Sequence, residues 1–237
     1  MPRSKTSREA GSIVELPELR DRTQVFENRK HAGSVLAGLL AHYAETQSVV
    51  LGIPAGGVPV ASVVAARLSL PLDVAVVSKI TLPWDTEAGY GAVGFDGTVR
   101  LNEALIAQVG LSRQQINEGI AGTTQKVQRR VQRLRGQREF PGLSRGPVIL
   151  VDDGLASGFT MRVAVKSLKN RGVVDIVVAV PTGHAQSVKR LAFIVSSVYC
   201  PNIRGGGRFA VADAYVRWSD VDEETVAQML RSEDASS

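Results

Sequence analysis

Several features of secreted, membrane and metal-cluster proteins are missing from this sequence. Cys200 is the only cysteine among 237 residues, which excludes an intrachain disulfide and a site built from several cysteines. There is no apolar run of about 18 residues or more, so no segment is predicted to span a membrane. Residues 1–11 are polar and basic and lack the apolar stretch of a secretory signal. We therefore expect a cytoplasmic protein.

Histidine is also scarce, and the charge is close to balanced. His31, His42 and His184 stand far apart and show no metal-ligand spacing, although His184 follows a predicted strand end and is placed to border a site there. The net charge of +5 suits either an anionic substrate or weak contact with nucleic acid. Composition therefore does not decide the function, and local motifs must.

Short runs rich in β-branched residues alternate along the chain with segments of helical periodicity. Such runs are typical of buried parallel strands, and their alternation with helices predicts an α/β fold with a mainly parallel central sheet flanked by helices. With 44% hydrophobic residues and no visible linker or repeat, we predict one domain over residues 21–231, between disordered tails at residues 1–20 and 232–237. The predicted strands are residues 49–53, 72–77, 148–151, 173–180 and 194–199. The predicted helices are residues 29–43, 58–68, 112–135 and 160–171.

Residues 81–102 interrupt this alternation. The segment contains four glycines, and Asp96-Gly97 stands between two short apolar runs, which is a hairpin signal. A long glycine-containing excursion in a compact domain is typically either a functional loop or a disordered one. We expect a loop here that includes a hairpin.

The strand predicted at residues 148–151 leads directly into residues that can carry chemistry. Asp152 and Asp153 follow it, and a turn of small residues at 156–158 then enters a helix. Ligands of open α/β sheets sit at the carboxyl ends of the strands. Two adjacent carboxylates there suit Mg²⁺ or sugar hydroxyls, while the N–H groups of the turn suit a phosphate at the helix N-terminus. The plainer interpretation is a solvated acidic turn with Ser157 as a helix cap.

Residues 148–160 resemble the diphosphoribosyl signature of the type I phosphoribosyltransferases, which has four apolar residues, two acids and a Thr/Ser-Gly-x-Thr loop. The similarity extends over residues 26–230 to a bacterial and archaeal group usually called predicted phosphoribosyltransferases. The resemblance implies a type I phosphoribosyltransferase-like fold with a small hood and a flexible loop. The matching positions are Phe26-x-x-Arg29, residues 56–61, Lys79, Asn102-Glu103, Arg135-Gly136 and residues 150–161.

By this resemblance, the chain binds 5-phosphoribosyl diphosphate, and the two acids hold the ribose hydroxyls directly or through Mg²⁺. Lys79, at the end of the next strand, is expected to face the diphosphate. Without the family pattern, residues 52–57 read as a plain strand-to-helix turn and Lys79 as a solvated lysine. The residues assigned are Asp152 and Asp153 at the ribose and the metal, Ala156, Ser157, Gly158, Phe159 and Thr160 at the 5-phosphate, and Pro54, Ala55, Gly56 and Gly57 at the pyrophosphate.

Residues 81–102 fall where the family has a mobile catalytic loop. Closure of such a loop excludes water, which matters because a ribosyl cation-like state is readily hydrolysed. Trp84, Glu87 and Tyr90 are the candidates to act inside the closed site. Glu87 and Tyr90 are assigned as catalytic together with Lys79, Asp152 and Asp153. The alternative is that they are ordinary surface residues of the loop.

Two positions depart from the family pattern. Ala55 stands where relatives commonly carry an arginine in the pyrophosphate loop, which removes a diphosphate contact and weakens the case for catalysis. Ala156 stands where 6-oxopurine transferases carry an aspartate that handles the proton of the base. We therefore do not expect a hypoxanthine or guanine enzyme of that pattern.

The acceptor-binding hood is expected from residues 200–231 together with the N-terminal helix. Residues 209–218 supply aromatic faces and one acid, and Asp213 and Tyr215 are the candidates to bind an acceptor base. The alternative is a final strand with an apolar contact to the core. Residues 220–231 then predict a closing helix.

Two hypotheses for the function follow. The first is an enzyme that uses 5-phosphoribosyl diphosphate and Mg²⁺, transfers the phosphoribosyl group to an unidentified nucleobase-like acceptor and releases pyrophosphate. The second is a non-catalytic regulator that senses the same diphosphate and binds RNA or DNA. Ala55 favours the regulator, whereas residues 81–102 favour the enzyme because a sensor has no need to exclude water. The assembly state is open, with a homodimer as one option.

A basic run in the helix predicted at residues 112–135 invites the nucleic-acid interpretation. The run lies opposite the apolar stripe of the helix, so a solvated helix face is the favoured interpretation. Its members are Lys126, Arg129, Arg130, Arg133, Arg135 and Arg138.

Overall fold

The computed structural model describes residues 10–138, 140, 143 and 145–234. The strands are β1 (Ser12–Val14), β2 (Val49–Gly52), β3 (Leu72–Val74), β4 (Val77–Leu82), β5 (Asp85–Gly94), β6 (Val99–Leu101), β7 (Val148–Val151), β8 (Ile176–Ala179), β9 (Thr182–His184), β10 (Ser197–Tyr199) and β11 (Asn202–Arg204). The helices are α1 (Arg29–Leu39), α2 (Gly57–Leu68), α3 (Glu103–Val109), α4 (Arg113–Arg135), α5 (Phe159–Asn170), α6 (Ala185–Ala192) and α7 (Glu223–Asp234). Short 3-10 turns lie at Pro17–Leu19, Ala41–Tyr43 and Ala212–Ala214.

Six parallel strands form the central sheet, in the order β1-β10-β8-β7-β2-β3. The register aligns Val148 of β7 with Val49 on one side and with Ile176 on the other. Every residue of β2, β7 and β8 is buried, which explains why these strands carry no polar alternation. The predicted α/β fold with a mainly parallel sheet is confirmed.

Helices cover both faces of this sheet. Successive side chains of a strand point to opposite faces, so neighbouring residues of β7 enter different clusters. Ile149 packs with Leu36 of α1 and Val60 of α2, whereas Leu150 packs with Met161 of α5 on the other face. With both faces covered, the carboxyl ends of the strands remain as the edge where a ligand can enter.

A second sheet, β4-β5-β6, is antiparallel and is formed by the segment that interrupts the sequence pattern. The predicted hairpin is confirmed: Gly97 has φ +85° in the turn, and Val93 pairs with Val99 beyond it. The expectation of a loop over residues 81–102 is wrong for its greater part. Ile80 and Tyr90 are fully buried against α4, so the segment is anchored as a three-stranded meander.

Two helix starts fix the positions of later functional residues. The Asn28 side chain accepts a hydrogen bond from the His31 N–H at 3.0 Å, which makes Arg29 the first residue of α1. Ser112 and Gln115 form a reciprocal capping box at the start of α4. None of the helices in the described part of the chain has the length and apolar character that a membrane crossing requires.

The expected tails differ from the structure. Residues 12–20, expected to be disordered, include β1, in which Ser12 pairs with Ser197 at the edge of the sheet, and the Gly11 N–H donates to the Ala192 carbonyl at 2.6 Å. The strand is three residues long and mostly exposed, so its pattern gave no signal. Helix α7 continues past residue 231 to Asp234. Residues 1–9 and 235–237 lie outside the described part.

Candidate functional site

A cavity of about 590 Å³ opens at the carboxyl edge of β2 and β7. The loop after β2, the acids after β7 and one face of β4 all border it. Its walls include Ala55, Gly56, Lys79, Asp152, Asp153 and Thr160, which the sequence had assigned to one substrate. The parallel register of β2 and β7 brings these distant segments together, because Gly52 and Val151 end side by side.

The acidic pair is held in an environment that opposes its ionisation. The Asp153 N–H donates to Asp152 Oδ1 at 2.9 Å. Burial raises the pKa of the Asp152 carboxyl well above its usual range, and the neighbouring Asp153 charge raises it further. Burial also raises the pKa of Asp153, and the Arg29 guanidinium opposes that shift. A bound cation or a set of hydroxyl donors would therefore favour the ionised form of the pair.

Arg29 is the side chain that holds Asp153. Its Nε and Nη2 both lie 2.9 Å from Asp153 Oδ2, and its Nη1 donates to the Ser219 carbonyl at 2.7 Å. The guanidinium also stacks on the Trp218 ring, 3.9 Å from its centroid. Arg29 thus links α1, the acidic pair and the C-terminal segment. Sequence reasoning noted Arg29 as part of a matching motif but assigned it no role.

The Tyr215 side chain contacts the backbone of the acidic pair and does not form an open surface for an acceptor. Its hydroxyl donates to the Asp153 carbonyl at 2.6 Å, and its ring is buried against Phe26 and Trp218. Burial raises the pKa of this phenol, so the hydroxyl stays a donor. In this structure the ring is covered by the core, and its contact with an acceptor base stays a prediction.

Asp213 lies apart from the strand-end cavity. It is exposed and its carboxylate lies 3.7 Å from Arg204 Nη1. The two residues border a separate cavity of about 460 Å³ together with Asp21 and Arg208. The structure therefore does not bring Asp213 to the acidic pair.

The loop after β2 approaches the acidic pair so closely that only glycine fits. A Cβ on Gly56 would lie 1.9 Å from Asp153 Oδ2, and one on Gly57 would lie 2.8 Å from the Asp152 Cα. The Pro54–Ala55 peptide bond is cis. The loop presents backbone to the cavity at the start of α2, as a diphosphate-binding turn requires.

The turn before α5 is anchored on its inner side and open on its outer side. The Leu155 N–H donates to the Thr182 carbonyl at 2.9 Å, and the Ser187 hydroxyl donates to the Ala156 carbonyl at 2.6 Å. Ala156 and Ser157 are exposed, and Gly158 enters the helix with φ +70°. Ser157 Oγ accepts from the Phe159 N–H at 3.3 Å, the local bond expected of a turn serine. The N-terminus of α5 is thus presented to a ligand.

The candidates of residues 81–102 and Lys79 have different locations. Lys79 lines the cavity from β4, with its stem against Gly89. Trp84 lies at the exposed tip between β4 and β5. Tyr90 is only 1% exposed and its hydroxyl donates to the Gln115 carbonyl at 3.4 Å, so in this structure it lies in the core, and its role inside a closed site stays a prediction. The Glu87 side chain lies outside the described part of the structure.

The basic run of α4 is not simply a solvated face. Lys126 and Arg130 line the strand-end cavity. Arg135 is buried and pairs with Asp73, with its Nη2 3.0 Å from Oδ2. Arg129, on the outer side of the helix, fits the interpretation of a solvated face. A signal was present in the sequence, because a residue three positions after the buried Val127 shares its face.

Three comparisons with known proteins agree with this geometry. Residues 96–214 match the model of the phosphoribosyl transferase domain, which is half of the chain. The chain belongs to the phosphoribosyl transferase family. Two Mycobacterium tuberculosis proteins, each named "Putative phosphoribosyl transferase", are 34% identical over 210 residues, which is 87% of this chain and 46% of each relative. The chain thus spans about half the length of these curated relatives.

A solved structure supports the same assignment for the fold. The crystal structure of TT1426 from Thermus thermophilus is 33% identical, covers 86% of this chain and 97% of its own, and superimposes with a TM-score of 0.67. The type I phosphoribosyltransferase fold predicted from the sequence is confirmed.

The site of this family member suits a magnesium ion that is shared with a substrate. Mg²⁺ is commonly held by one or two carboxylates together with water and substrate phosphates, and not by an all-protein cage. Asp152 and Asp153 supply such a pair, with Arg29 as the cation that contacts Asp153. Among the residues that the structure describes, no three His, Cys, Asp or Glu side chains cluster in a way that could hold a metal by themselves.

His184 borders the C-terminal segment of this fold. It ends β9, its Nε2 lies 3.3 Å from the Gly206 carbonyl, and its ring meets the edge of Phe209. A Cβ on Gly154 would lie 2.4 Å from the Val211 side chain, so the same segment rests directly on the turn that follows the acids. Residues 205–218 thus cover one side of the site.

Proposed function

We propose that this chain transfers the phosphoribosyl group of 5-phosphoribosyl diphosphate to a small nucleobase-like acceptor and releases pyrophosphate. The observation that carries the proposal is the meeting, in one cavity, of a half-buried carboxylate pair and the glycine loop before α2, with the N-terminus of α5 beside them. Carboxylates suit ribose hydroxyls, and N–H groups at helix starts suit phosphates.

In this proposal each part of the donor has its own residues. Asp152 and Asp153 take the ribose hydroxyls and share a Mg²⁺ ion, directly or through water. Residues 156–160 take the 5-phosphate, and residues 54–57 with Lys79 take the diphosphate. The bound ion supplies positive charge that offsets the charge of the pyrophosphate as it leaves.

The reaction breaks one bond and forms one at C1 of the ribose. An acceptor nitrogen forms the new bond to C1, the electrons of the C1–O bond leave with pyrophosphate, and the acceptor nitrogen releases its proton to solvent. Positive charge that develops on the sugar is stabilised by the carboxylates of Asp152 and Asp153, and the leaving group by Lys79 and the loop amides. Trp84 lies at the tip of the β4–β5 hairpin, where movement of the hairpin would exclude water.

Ala156 limits the choice of acceptor, because it offers no carboxylate for proton transfer to a base. The alternative function, a sensor that binds nucleic acid through α4, has little support from the contacts of that helix. Arg130 and Arg135 are engaged inside the protein and are not displayed on a basic face. We also propose a cytoplasmic location, and a homodimer stays a proposal for the assembly.

Pyrophosphate release tests the proposal. The protein is incubated with 5-phosphoribosyl diphosphate, Mg²⁺ and a panel of purine and pyrimidine bases, with Asp153→Asn as the inactive control. We expect release with at least one base by the wild type and a loss of about 100-fold or more in the variant. Binding of the donor without release across the whole panel would contradict the enzyme.

A further inference from the structure

One of the helices that border the cavity carries two cations. Lys126 and Arg130 are four residues apart on α4 and therefore share one helix face. Both border the same cavity as Ala55, Gly56 and Lys79. The sequence had placed these two side chains in solvent, outside any site.

The glycine loop brings no positive side chain to this cavity. Ala55 is apolar, and the loop can offer only backbone N–H groups to an anion. A diphosphate carries several negative charges, and each close cation strengthens its binding more than a neutral donor does. Lys126 and Arg130, which line the same cavity, supply the positive charge that the loop does not have.

Arg130 is held in this position by contacts with two elements, β4 and α7. Its side chain is 12% exposed, its Nη1 lies 3.3 Å from Ser78 Oγ and 3.5 Å from the Val77 carbonyl, and its Nε pairs with Glu223. Ser78 immediately precedes Lys79 in β4, and both residues line the cavity together with Arg130. Glu223 itself borders the cavity, where its carboxylate occupies the partner position that an anionic ligand would take.

We propose that Lys126 and Arg130 bind the diphosphate of the donor and the pyrophosphate product, and that Glu223 competes with these anions for Arg130. This inference rests on the proposed function and names further binding residues for it. A purely structural Arg130–Glu223 pair that ties α4 to α7 is the alternative.

Two ligands distinguish binding at the diphosphate part of the site from binding at the 5-phosphate part. Binding of pyrophosphate with Mg²⁺, and separately of ribose 5-phosphate, is measured by calorimetry for the wild type, Lys126→Gln and Arg130→Gln. We expect each variant to lose about tenfold or more in affinity for pyrophosphate and to keep its affinity for ribose 5-phosphate within about twofold. Arg129→Gln, which removes the same charge from the exposed side of α4, is the matched control and should bind both ligands as the wild type does.

Substitution of Glu223 gives a second test, because a purely structural pair would not raise the affinity for pyrophosphate when Glu223 is replaced. Glu223→Gln removes the competing carboxylate while Ser78 and Val77 still hold Arg130, so affinity for pyrophosphate should rise about threefold or more even though thermal stability falls. Glu224→Gln, one residue along on the exposed side, should leave the affinity unchanged.

Three results would overturn the inference. They are wild-type pyrophosphate affinity in Arg130→Gln, equal losses for both ligands in Arg130→Gln and Lys126→Gln, and parallel losses of pyrophosphate affinity in Arg130→Gln and Glu223→Gln. If the wild type bound neither ligand, the proposed function itself would fail, and that result differs from all three.

Discussion

Two carboxylates in this protein have opposite settings, Asp73 in the interior and Asp152 in the strand-end cavity. Asp73 on β3 pairs with Arg135 in the interior, and its Oδ1 also accepts from the Val74 N–H at 2.7 Å. Asp152 at the end of β7 is half-buried beside a second acid, and the Arg29 guanidinium contacts Asp153 instead. The first carboxylate has an opposite charge as its partner, whereas the second has a like charge as its neighbour. We therefore expect the first acid to serve stability and the second to serve binding.

The largest stability effect is expected at Asp73, whose carboxylate is paired with Arg135. Asp73→Asn leaves the Arg135 guanidinium buried with a neutral partner, and breaking a buried pair costs about 3 kcal/mol or more. Urea unfolding gives the free energy of unfolding. The exposed Arg133–Glu224 pair is the control, because Arg133→Gln should cost less than about 1 kcal/mol. Equal losses in the two variants would remove the distinction between these pairs.

The next largest loss of stability is expected where the glycine loop packs closely on the acidic pair. In Gly56→Ala the new Cβ would overlap Asp153 Oδ2, so either the loop or the acid must move. We expect a cost of about 1–3 kcal/mol in unfolding free energy and a loss of donor binding, measured by calorimetry. Gly122→Ala on α4, where a Cβ meets nothing within 4 Å, should instead be neutral or slightly stabilising. Unchanged donor binding in Gly56→Ala would separate this loop from the site.

At Asp152, the substitution should change stability in the opposite direction from the one expected at Asp73. Asp152→Asn removes a carboxylate whose ionisation is opposed by burial, and we expect about 0.5–2 kcal/mol of added stability at pH 7 without ligand. The same variant should lose donor binding. Urea unfolding and calorimetry on one preparation measure both. A destabilised variant would contradict the interpretation that Asp152 is strained by its setting.

The pH dependence of stability follows from the same pKa shift. A carboxyl whose pKa is raised in the folded state binds its proton more tightly there than in the unfolded chain. The contribution of Asp152 is therefore favourable at low pH and is lost as pH rises from the ordinary aspartate pKa through the raised one. We expect the free energy of unfolding of the wild type to fall over this interval more than that of Asp152→Asn. Parallel pH profiles would argue against the shift.

The smallest effect is expected at the support of Arg29. Trp218→Ala removes the ring under the guanidinium, an interaction of about 0.5–2 kcal/mol, while both hydrogen bonds to Asp153 stay. Donor affinity should fall only a few-fold, as measured by calorimetry. Val216→Ala, at another exposed position of the same segment, is the control. A complete loss of binding would make Trp218 a direct ligand contact.

The parts of the site that could be predicted from sequence are those in which neighbours in the chain are neighbours in space. Asp152, Asp153 and residues 156–160 follow one strand and enter one helix, so a local pattern defines them. Arg29 lies 124 positions from Asp153, and nothing local pairs them. That contact depends on how α1 packs on the sheet.

Tyr90 shows a different reason why the location of a side chain is hard to predict from sequence. Residues 85–94 form a strand, whose side chains alternate between two faces, and Tyr90 takes the face that packs on α4. A loop has no such alternation, so the assumption of a loop does not predict which of these side chains are buried. Tyr215 was assigned to an acceptor because it is aromatic, but its hydroxyl and ring are both used by the acidic pair and the core.

Calorimetric titration of 5-phosphoribosyl diphosphate with Mg²⁺ into the wild type and into Asp152→Asn tests the central claim most directly. The account predicts saturable binding at one site per chain in the wild type and a loss of about 100-fold or more in the variant, which should stay folded. Binding of equal strength to both proteins, or no binding to the wild type, would contradict it.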